Sequence, residues 1–216
     1  MTTSQEAALA RQAAKRGGVF TRAQAGRLGI APSTLDRRLR SGVLMERHPG
    51  VLQAATSPYD PEAQEWAALL AAGPGAMLSH PSAGALWLPE VVERPSLPWV
   101  TIPFAARYRR LQGVEVVRSR HVEGVLRWRQ GRPVTAPART WVDLGRVLTD
   151  EALGSALAAG LQRRHFTLGD VERVLSVAHH RAGTQAVRRV LPQYRPEWES
   201  YLSALFGRLQ EEAGLG

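Results

Sequence analysis

The chain of 216 residues is 44% hydrophobic and 22% charged, which is typical of a globular protein with a sizeable core. It contains no cysteine, and this excludes disulfide bonds, thiolate chemistry and most structural zinc sites. No apolar run approaches the roughly 20 residues of a membrane span, and the N-terminal region lacks the apolar core of a secretion signal. We therefore expect a cytoplasmic protein without membrane association.

The formal net charge of +9 is unevenly distributed along the chain. Basic residues outnumber acidic ones by nine to three in residues 1–58 and by ten to three in residues 105–148. Residues 59–104 hold one basic residue against five acidic ones, and residues 149–216 are balanced. Two separate basic blocks favour a polyanionic partner, most simply nucleic acid, over a basic surface that is merely solvated.

The N-terminal block begins with two predicted helices. The first is alanine-rich and covers residues 5–16. The second begins after Thr21 and ends at Gly29, and its start has the residues of a capping box. In this motif the Thr21 hydroxyl accepts a hydrogen bond from the third helical amide, and the Gln24 side chain reaches back to the chain before the helix.

A third helix is predicted from Pro32 to Gly42. Leu35 and Leu39 are four residues apart and face the interior together with Ile30. The opposite face presents Ser33, Thr34, Arg37, Arg38 and Ser41. A short helix, a three-residue turn and a helix with hydroxyls and arginines on its free face are typical of a helix-turn-helix.

Two apolar segments, 43–45 and 51–52, predict a hairpin whose tip is the basic segment 47–50. With the three helices this predicts a winged helix-turn-helix DNA-binding domain over residues 1–58. The predicted DNA-binding residues are Ser33, Thr34, Arg37, Arg38, Arg40, Arg47 and His48. Arg37 and Arg38 are expected to contact guanine in the major groove, and Arg47 is expected to contact phosphate. The alternative is a small helical subdomain with ordinary surface arginines.

Residues 59–192 predict a second, α+β domain. Helices are expected over 60–72 and from Ser79 to Trp87, and strands over 99–103, 114–118 and 125–128. The loop between the first two strands contains a cluster of basic residues with an interleaved tyrosine. Its basic members are Arg107, Arg109 and Arg110. This composition suits a second nucleic-acid surface, and it suits equally a loop that is kept soluble by its charge.

From residue 135 onward the pattern is helical. The predicted helices cover residues 136–147, 149–161, 167–178, 183–191 and 196–213. Arg139 and Asp143 stand four residues apart, and a structural ion pair is favoured over a contact of Arg139 with DNA or a partner protein.

Signals for catalysis are poor. His80 is predicted to cap or pack at a helix start rather than to act as a base, and the adjacent His179 and His180 cannot share one helical metal face. The sequence contains no nucleophile elbow, phosphate-binding loop or zinc-protease motif. We therefore expect no enzymatic activity, no cofactor and no metal.

Three segments carry a resemblance to a known family. They are GVFTRAQA with STLDRRLRSG in the N-terminal block, WAALLAAGPGAMLSHPSAGALW at 66–87 and GRPVTAPARTWVDLGRVL at 131–148. The chain resembles AbiEi-type antitoxins of actinobacterial type over residues 15–192. The resemblance implies an autoregulating transcriptional repressor of a type IV toxin–antitoxin system. Its implied partners are double-stranded DNA with inverted repeats in its own promoter and a nucleotidyltransferase-type toxin.

The sequence departs from this family at two points. Ala31 stands where a capping serine is common, so the start of the third helix is weaker. Residues 193–216 resemble the first helix leading into a nuclease-like domain, similar to very-short-patch-repair endonucleases, that longer relatives contain. The strands with the metal-binding residues of that domain are lacking, so we expect no cleavage activity. A DNA-targeting portion of a nuclease-associated protein is the alternative function, and a purely protein-binding antitoxin is a third.

Overall fold

A computed structural model of the chain describes residues 3–107, 110–122, 124–177 and 183–194. Its N-terminal part is built from α1 (Thr3–Ala14), β1 (Val19–Thr21), α2 (Arg22–Arg27), α3 (Pro32–Arg40), β2 (Leu44–His48) and β3 (Val51–Ala54). The three strands form an antiparallel sheet in the order β1-β3-β2. The helices and the hairpin therefore follow one another in the order predicted for a winged helix-turn-helix.

The predicted capping box fixes the start of α2. The Gln24 amide donates to Thr21 Oγ1 at 3.0 Å, and the Thr21 amide donates to Gln24 Oε1 at 2.8 Å. Helix α3 has Ala31 at its N-cap with no side-chain cap, and it begins with Pro32, whose fixed φ suits the first helical turn. A small core of buried side chains joins the helices to the sheet; among its members are Leu9, Ile30, Leu35 and Leu52.

The hairpin is longer than the sequence predicted, and its tip is different. Strand β2 extends to His48, so that only Pro49 and Gly50 form the turn into β3. Arg47 and His48 therefore lie within a strand rather than at a free tip. The third strand, β1, was not predicted because three residues are too few for an alternating pattern.

The rest of the described chain is α+β, as predicted. It contains α4 (Pro61–Ala72), β4 (Met77–Leu78), α5 (His80–Trp87), β5 (Trp99–Pro103), β6 (Glu115–Ser119), β7 (Leu126–Arg129), β8 (Arg132–Thr135), α6 (Pro137–Leu144), α7 (Asp150–Gln162), α8 (Leu168–Ser176), α9 (Thr184–Val190) and a 3-10 turn (Leu191–Tyr194). The second sheet has the strand order β6-β5-β4-β8-β7. None of the helices in the described ranges combines the length and the apolar character that a membrane span requires.

This sheet is mixed, and two of its strands escaped prediction. β4 pairs antiparallel with β5 and parallel with β8, while β5 and β6 are parallel and β7 and β8 are antiparallel. Strand β4 has only two residues, and β8 contains an arginine and a proline, so neither presents an apolar run. Ser79 is the N-cap of α5 as predicted, but its hydroxyl does not bond a helix amide and lies 2.9 Å from His80 Nδ1.

Helices α6 to α9 enclose a second core. Trp141 lies at its centre, with 1% of its surface exposed, and its indole Nε1 donates to the Leu153 carbonyl oxygen at 3.0 Å. Thr167 and Asp170 form a capping box at the start of α8. The predicted helix over 196–213 and the histidine pair at 179–180 lie outside the described residues.

The two parts of the molecule meet at α4. Val19 and Val51 of the first sheet share a core with Ala63 and Trp66 of α4. Gly17 makes this contact possible, since it has a φ of 59° and a Cβ at this position would lie 2.8 Å from Ala63 Cβ. The first sheet is thus packed directly on the helix that leads into the second sheet.

Candidate nucleic-acid interface

Helix α3 presents a polar, arginine-bearing face to solvent. Leu35 is buried with 2% exposure and anchors the helix, whereas Ser33, Arg37 and Arg40 are exposed and Thr34 is half-buried. The hydrophobic spacing in the sequence correctly predicted the buried Leu35 and the exposed Ser33 and Arg37. Leu39, on the predicted inner face, is only half-buried, as are Thr34 and Arg38 on the predicted outer face.

The acidic residues of this part are all paired, which leaves a net positive surface. Arg22 of α2 donates to Asp36 Oδ1 at 2.7 Å and lies 3.8 Å from Glu46. The remaining acid of residues 1–58, Glu6, accepts from Arg38. In contrast, four exposed arginines form no side-chain hydrogen bond or ion pair with any described residue: Arg11 of α1, Arg27 of α2, and Arg37 and Arg40 of α3. Sequence reasoning did not include Arg27, although its place in the last turn of α2 is visible in the sequence.

Arg38 differs from its neighbour Arg37. Its guanidinium donates to Glu6 of α1 and is only partly exposed, so its side chain links the first helix to α3. This contact between residues 32 positions apart was not visible in the sequence. It gives Arg38 a packing role in the free protein that Arg37 does not have.

Arg47 and His48 are held against the protein. Arg47 Nε donates to Gln53 Oε1 at 2.8 Å, and its guanidinium carbon lies 4.0 Å from the centre of the Tyr59 ring. The amide of Gln53 is fully buried and donates in turn to the carbonyl oxygens of Gly17 and Pro58. Burial lowers the pKa of His48 from its ordinary value of 6.5, so this side chain is uncharged at neutral pH.

Residues 8–55 match the family model described as transcriptional regulator, AbiEi antitoxin. The chain contains an AbiEi-type domain. The matched segment covers α2, α3 and the hairpin, which include the exposed arginines of α3. No curated protein matches the chain.

A wider likeness exists at the level of the fold. The crystal structure of RV2827C protein from Mycobacterium tuberculosis is similar with a TM-score of 0.52 and 21% sequence identity. The similarity covers 88% of this chain and 75% of that chain. This similarity concerns the fold alone, and it extends over most of the chain.

The second basic surface lies beside the β5–β6 edge of the second sheet. Arg107 and Arg110 are exposed there, whereas Arg109 lies outside the described residues. Phe104, which directly follows β5, contacts two further arginines. The guanidinium carbons of Arg118 and Arg120 lie 4.4 Å and 4.6 Å from the ring centre of Phe104, which is 43% exposed. The parallel register, which places Pro103 beside Ser119, brings these residues together.

Two further arginines of the second basic block are structural. Arg139 donates to Asp143 at 2.7 Å and both side chains are buried, which confirms the predicted ion pair. Arg132 of β8 donates to Glu65 of α4 at 2.5 Å, and both are also buried. Burial raises the pKa of Glu65, while Arg132 and Arg94 act in the opposite direction.

The histidine at the start of α5 lies in the interior of the protein. His80 is 3% exposed and its ring packs 5.0 Å from that of Trp99, in agreement with the predicted packing role. Within the described residues, histidine and carboxylate side chains nowhere gather in a group of three that could hold a metal ion. The arginine face of α3 is therefore the best candidate for function.

Proposed function

We propose that this chain is a DNA-binding transcriptional regulator that represses its own promoter at inverted repeats. The observation that carries the proposal is the pair of exposed arginines on α3, Arg37 and Arg40, which have no side-chain partner among the described residues and lie within the segment that matches the AbiEi family model. In this proposal α3 enters the major groove, as the second helix of a helix-turn-helix does, and two copies of the chain occupy the two halves of the repeat. The protein acts in the cytoplasm, where the chromosomal DNA lies.

The residues of this face take different roles in the proposed complex. Arg37 donates two hydrogen bonds to a guanine, and Ser33 and Thr34 contact the neighbouring bases or phosphates. Arg40 and Arg27 contact phosphates on either side of the groove. Arg38, Arg47 and His48 border the face, and their contacts with Glu6, Gln53 and the protein interior make them secondary.

The second basic surface supplies additional phosphate contacts in this proposal. Exposed arginines beside an aromatic ring suit a nucleic-acid backbone, and no described acidic residue pairs with Arg107, Arg110, Arg118 or Arg120. These contacts add affinity without sequence preference.

A gel-retardation titration tests the proposal. The full chain is mixed with its own upstream DNA and, separately, with scrambled DNA of equal length at a fixed salt concentration. We expect retardation of the upstream fragment at a concentration at least tenfold lower, and we expect Arg37→Ala to abolish most of this difference. Arg11→Ala is the matched control, because it removes one exposed charge from α1 outside the face. Equal retardation of both fragments by the unaltered protein would contradict the proposal.

We further propose that the chain is the antitoxin of a nucleotidyltransferase-type toxin encoded beside it. The AbiEi description of residues 8–55 supports this role. Co-expression of the full chain with the neighbouring toxin should restore growth, and Arg37→Ala should restore it equally well if neutralisation does not use the DNA-binding face. Loss of rescue by Arg37→Ala would show that repression, rather than neutralisation, protects the cell.

The proposed regulator has no nuclease activity of its own. Supercoiled plasmid should therefore remain intact after incubation with the full chain and Mg²⁺ or Mn²⁺. Metal-dependent nicking would instead favour the nuclease-associated alternative.

A further inference from the structure

A cleft of about 400 Å³ lies between β7, the start of α6 and α8. Its volume is within the range of small-molecule sites. The lining is mixed: Phe166 and Val174 are among its apolar members, and Arg127, Arg139 and Arg173 supply positive charge. The cleft lies at the junction of the second sheet with the helices of the second core, and it shares no residue with the arginine face of α3.

One of the residues that line the cleft is a largely buried arginine, Arg139. Only 3% of the Arg139 side chain is exposed. Its Nε donates to Asp143 at 2.7 Å and its Nη1 donates to the His121 carbonyl oxygen at 2.9 Å, whereas Nη2 has no hydrogen-bond partner among the described residues. Arg139 lines the cleft, so its Nη2 is a charged donor that an acceptor from a ligand could engage there.

The one carboxylate among the described lining residues does not fill this role. Asp170 Oδ2 accepts from the amide and the hydroxyl of Thr167 at 2.8 Å and 2.7 Å, and Oδ1 accepts from Arg173 at 3.1 Å. The hydrogen bonds from Thr167 lower the pKa of Asp170, so its charge persists and is offset by Arg173. The guanidinium of Arg127 contacts only backbone carbonyl oxygens in the described structure, so the described lining residues carry an excess of positive charge.

We propose that this cleft binds a small organic anion with an apolar body. The carboxylate or phosphate of the ligand accepts a hydrogen bond from Arg139 Nη2 and is attracted by Arg127, while the apolar body contacts Phe166 and Val174. Such a site would give the protein a ligand-responsive element next to its second core. The binding itself is measured without DNA, so this inference stands or fails separately from the proposed regulatory function.

Isothermal titration of the full chain tests the proposal with three probes of similar size: benzoate, phenyl phosphate and uncharged benzyl alcohol. We expect one or both anions to bind at least tenfold more tightly than benzyl alcohol. Arg127→Gln should weaken anion binding about threefold to tenfold, and Arg11→Gln, which removes a charge outside the cleft, should leave it unchanged. Ala136→Phe places a ring at the wall of the cleft and should reduce binding more than tenfold.

A second measurement identifies the contact with Arg139. Its Nε–Hε signal in a nitrogen-15 correlation spectrum should shift on addition of the anion and should not shift with benzyl alcohol. Circular dichroism of Ala136→Phe establishes that this variant is folded. Failure of both anions to bind at 10 mM, equal binding of benzyl alcohol, or full binding by folded Ala136→Phe would each overturn the proposal.

Discussion

Arginine has different surroundings in the two parts of this molecule. In the N-terminal part Arg37 and Arg40 are exposed and unpaired within the described structure, and the acidic residues are engaged elsewhere. In the second part Arg132 and Arg139 are almost completely buried, each bound to a carboxylate. The basic blocks look alike in the sequence, so local charge density does not distinguish arginines that are exposed to solvent from arginines that are buried in ion pairs.

The largest effects on the free energy of unfolding are expected from the buried ion pairs, Arg132–Glu65 and Arg139–Asp143. Arg132→Met leaves Glu65 buried without its closest cation, and we expect a loss of about 3–5 kcal/mol in the free energy of unfolding. Urea denaturation measures this loss. The double variant Arg132→Met/Glu65→Leu should recover most of it, because it removes both charges. If Arg132→Met reduced the free energy of unfolding no more than Arg37→Met does, the proposed difference between the buried and the exposed arginines would be contradicted.

Substitution of an exposed arginine on α3 should affect DNA binding more than stability. Arg37→Ala should reduce the preference for operator over random DNA by about 1–3 kcal/mol and leave urea stability almost unchanged. Arg38→Ala should reduce stability by up to about 1 kcal/mol, because it removes a partly exposed pair with Glu6. Gel retardation and urea denaturation of both variants check this distinction. Arg38→Ala could instead remove most of the preference for operator over random DNA. That result would show that the Arg38 side chain releases Glu6 in the complex and contacts the bases.

The two capping boxes allow a matched comparison between the regions. Thr21→Ala and Thr167→Ala should each reduce the free energy of unfolding by about 1 kcal/mol, because each helix loses one cap. Only Thr21→Ala should also weaken operator binding, since α2 supports α3. An equal effect of both variants on DNA binding would indicate that this effect reflects stability alone.

Substitution of Arg47 tests whether β2 contributes to the proposed DNA interface. Arg47→Ala should weaken binding to operator and random DNA in the same proportion, and it should reduce the slope of log affinity against log salt by about one. Salt titrations of both complexes give the two slopes. An unchanged slope would assign Arg47 to its contacts with Gln53 and Tyr59 alone.

The smallest expected effect is the change in the free energy of unfolding that the titration of His48 causes. Burial lowers the pKa of His48, so the unfolded chain binds the proton more readily than the folded one. Stability should therefore be fully present above pH 6.5 and should decrease as the pH falls below this value. Urea midpoints between pH 5 and 7.5 measure the decrease. His48→Gln should reduce the dependence of the urea midpoint on pH. An identical pH profile for the two proteins would show that other groups cause it.

Much of the local structure was predictable from the sequence. The capping box at Thr21, the helix starting at Pro32 and the burial of Leu35 follow from chemistry between residues a few positions apart. The α+β class was also predicted, as were the strand at 99–103 and the Arg139–Asp143 pair within one helix. These features depend on periodicity, caps and i to i+4 spacing.

Features that depend on distant contacts were decided only by the tertiary structure. The short strands β1, β4 and β8 exist because neighbouring strands complete their hydrogen bonds. The buried Arg132 is paired with Glu65, which lies 67 positions away in the sequence. Arg38 likewise donates to Glu6, a residue of a different helix. The sequence by itself determined where the helices begin and which of their faces are polar, because those properties are local. Tertiary packing determined which arginines remain available to a partner, because that depends on where every carboxylate comes to lie.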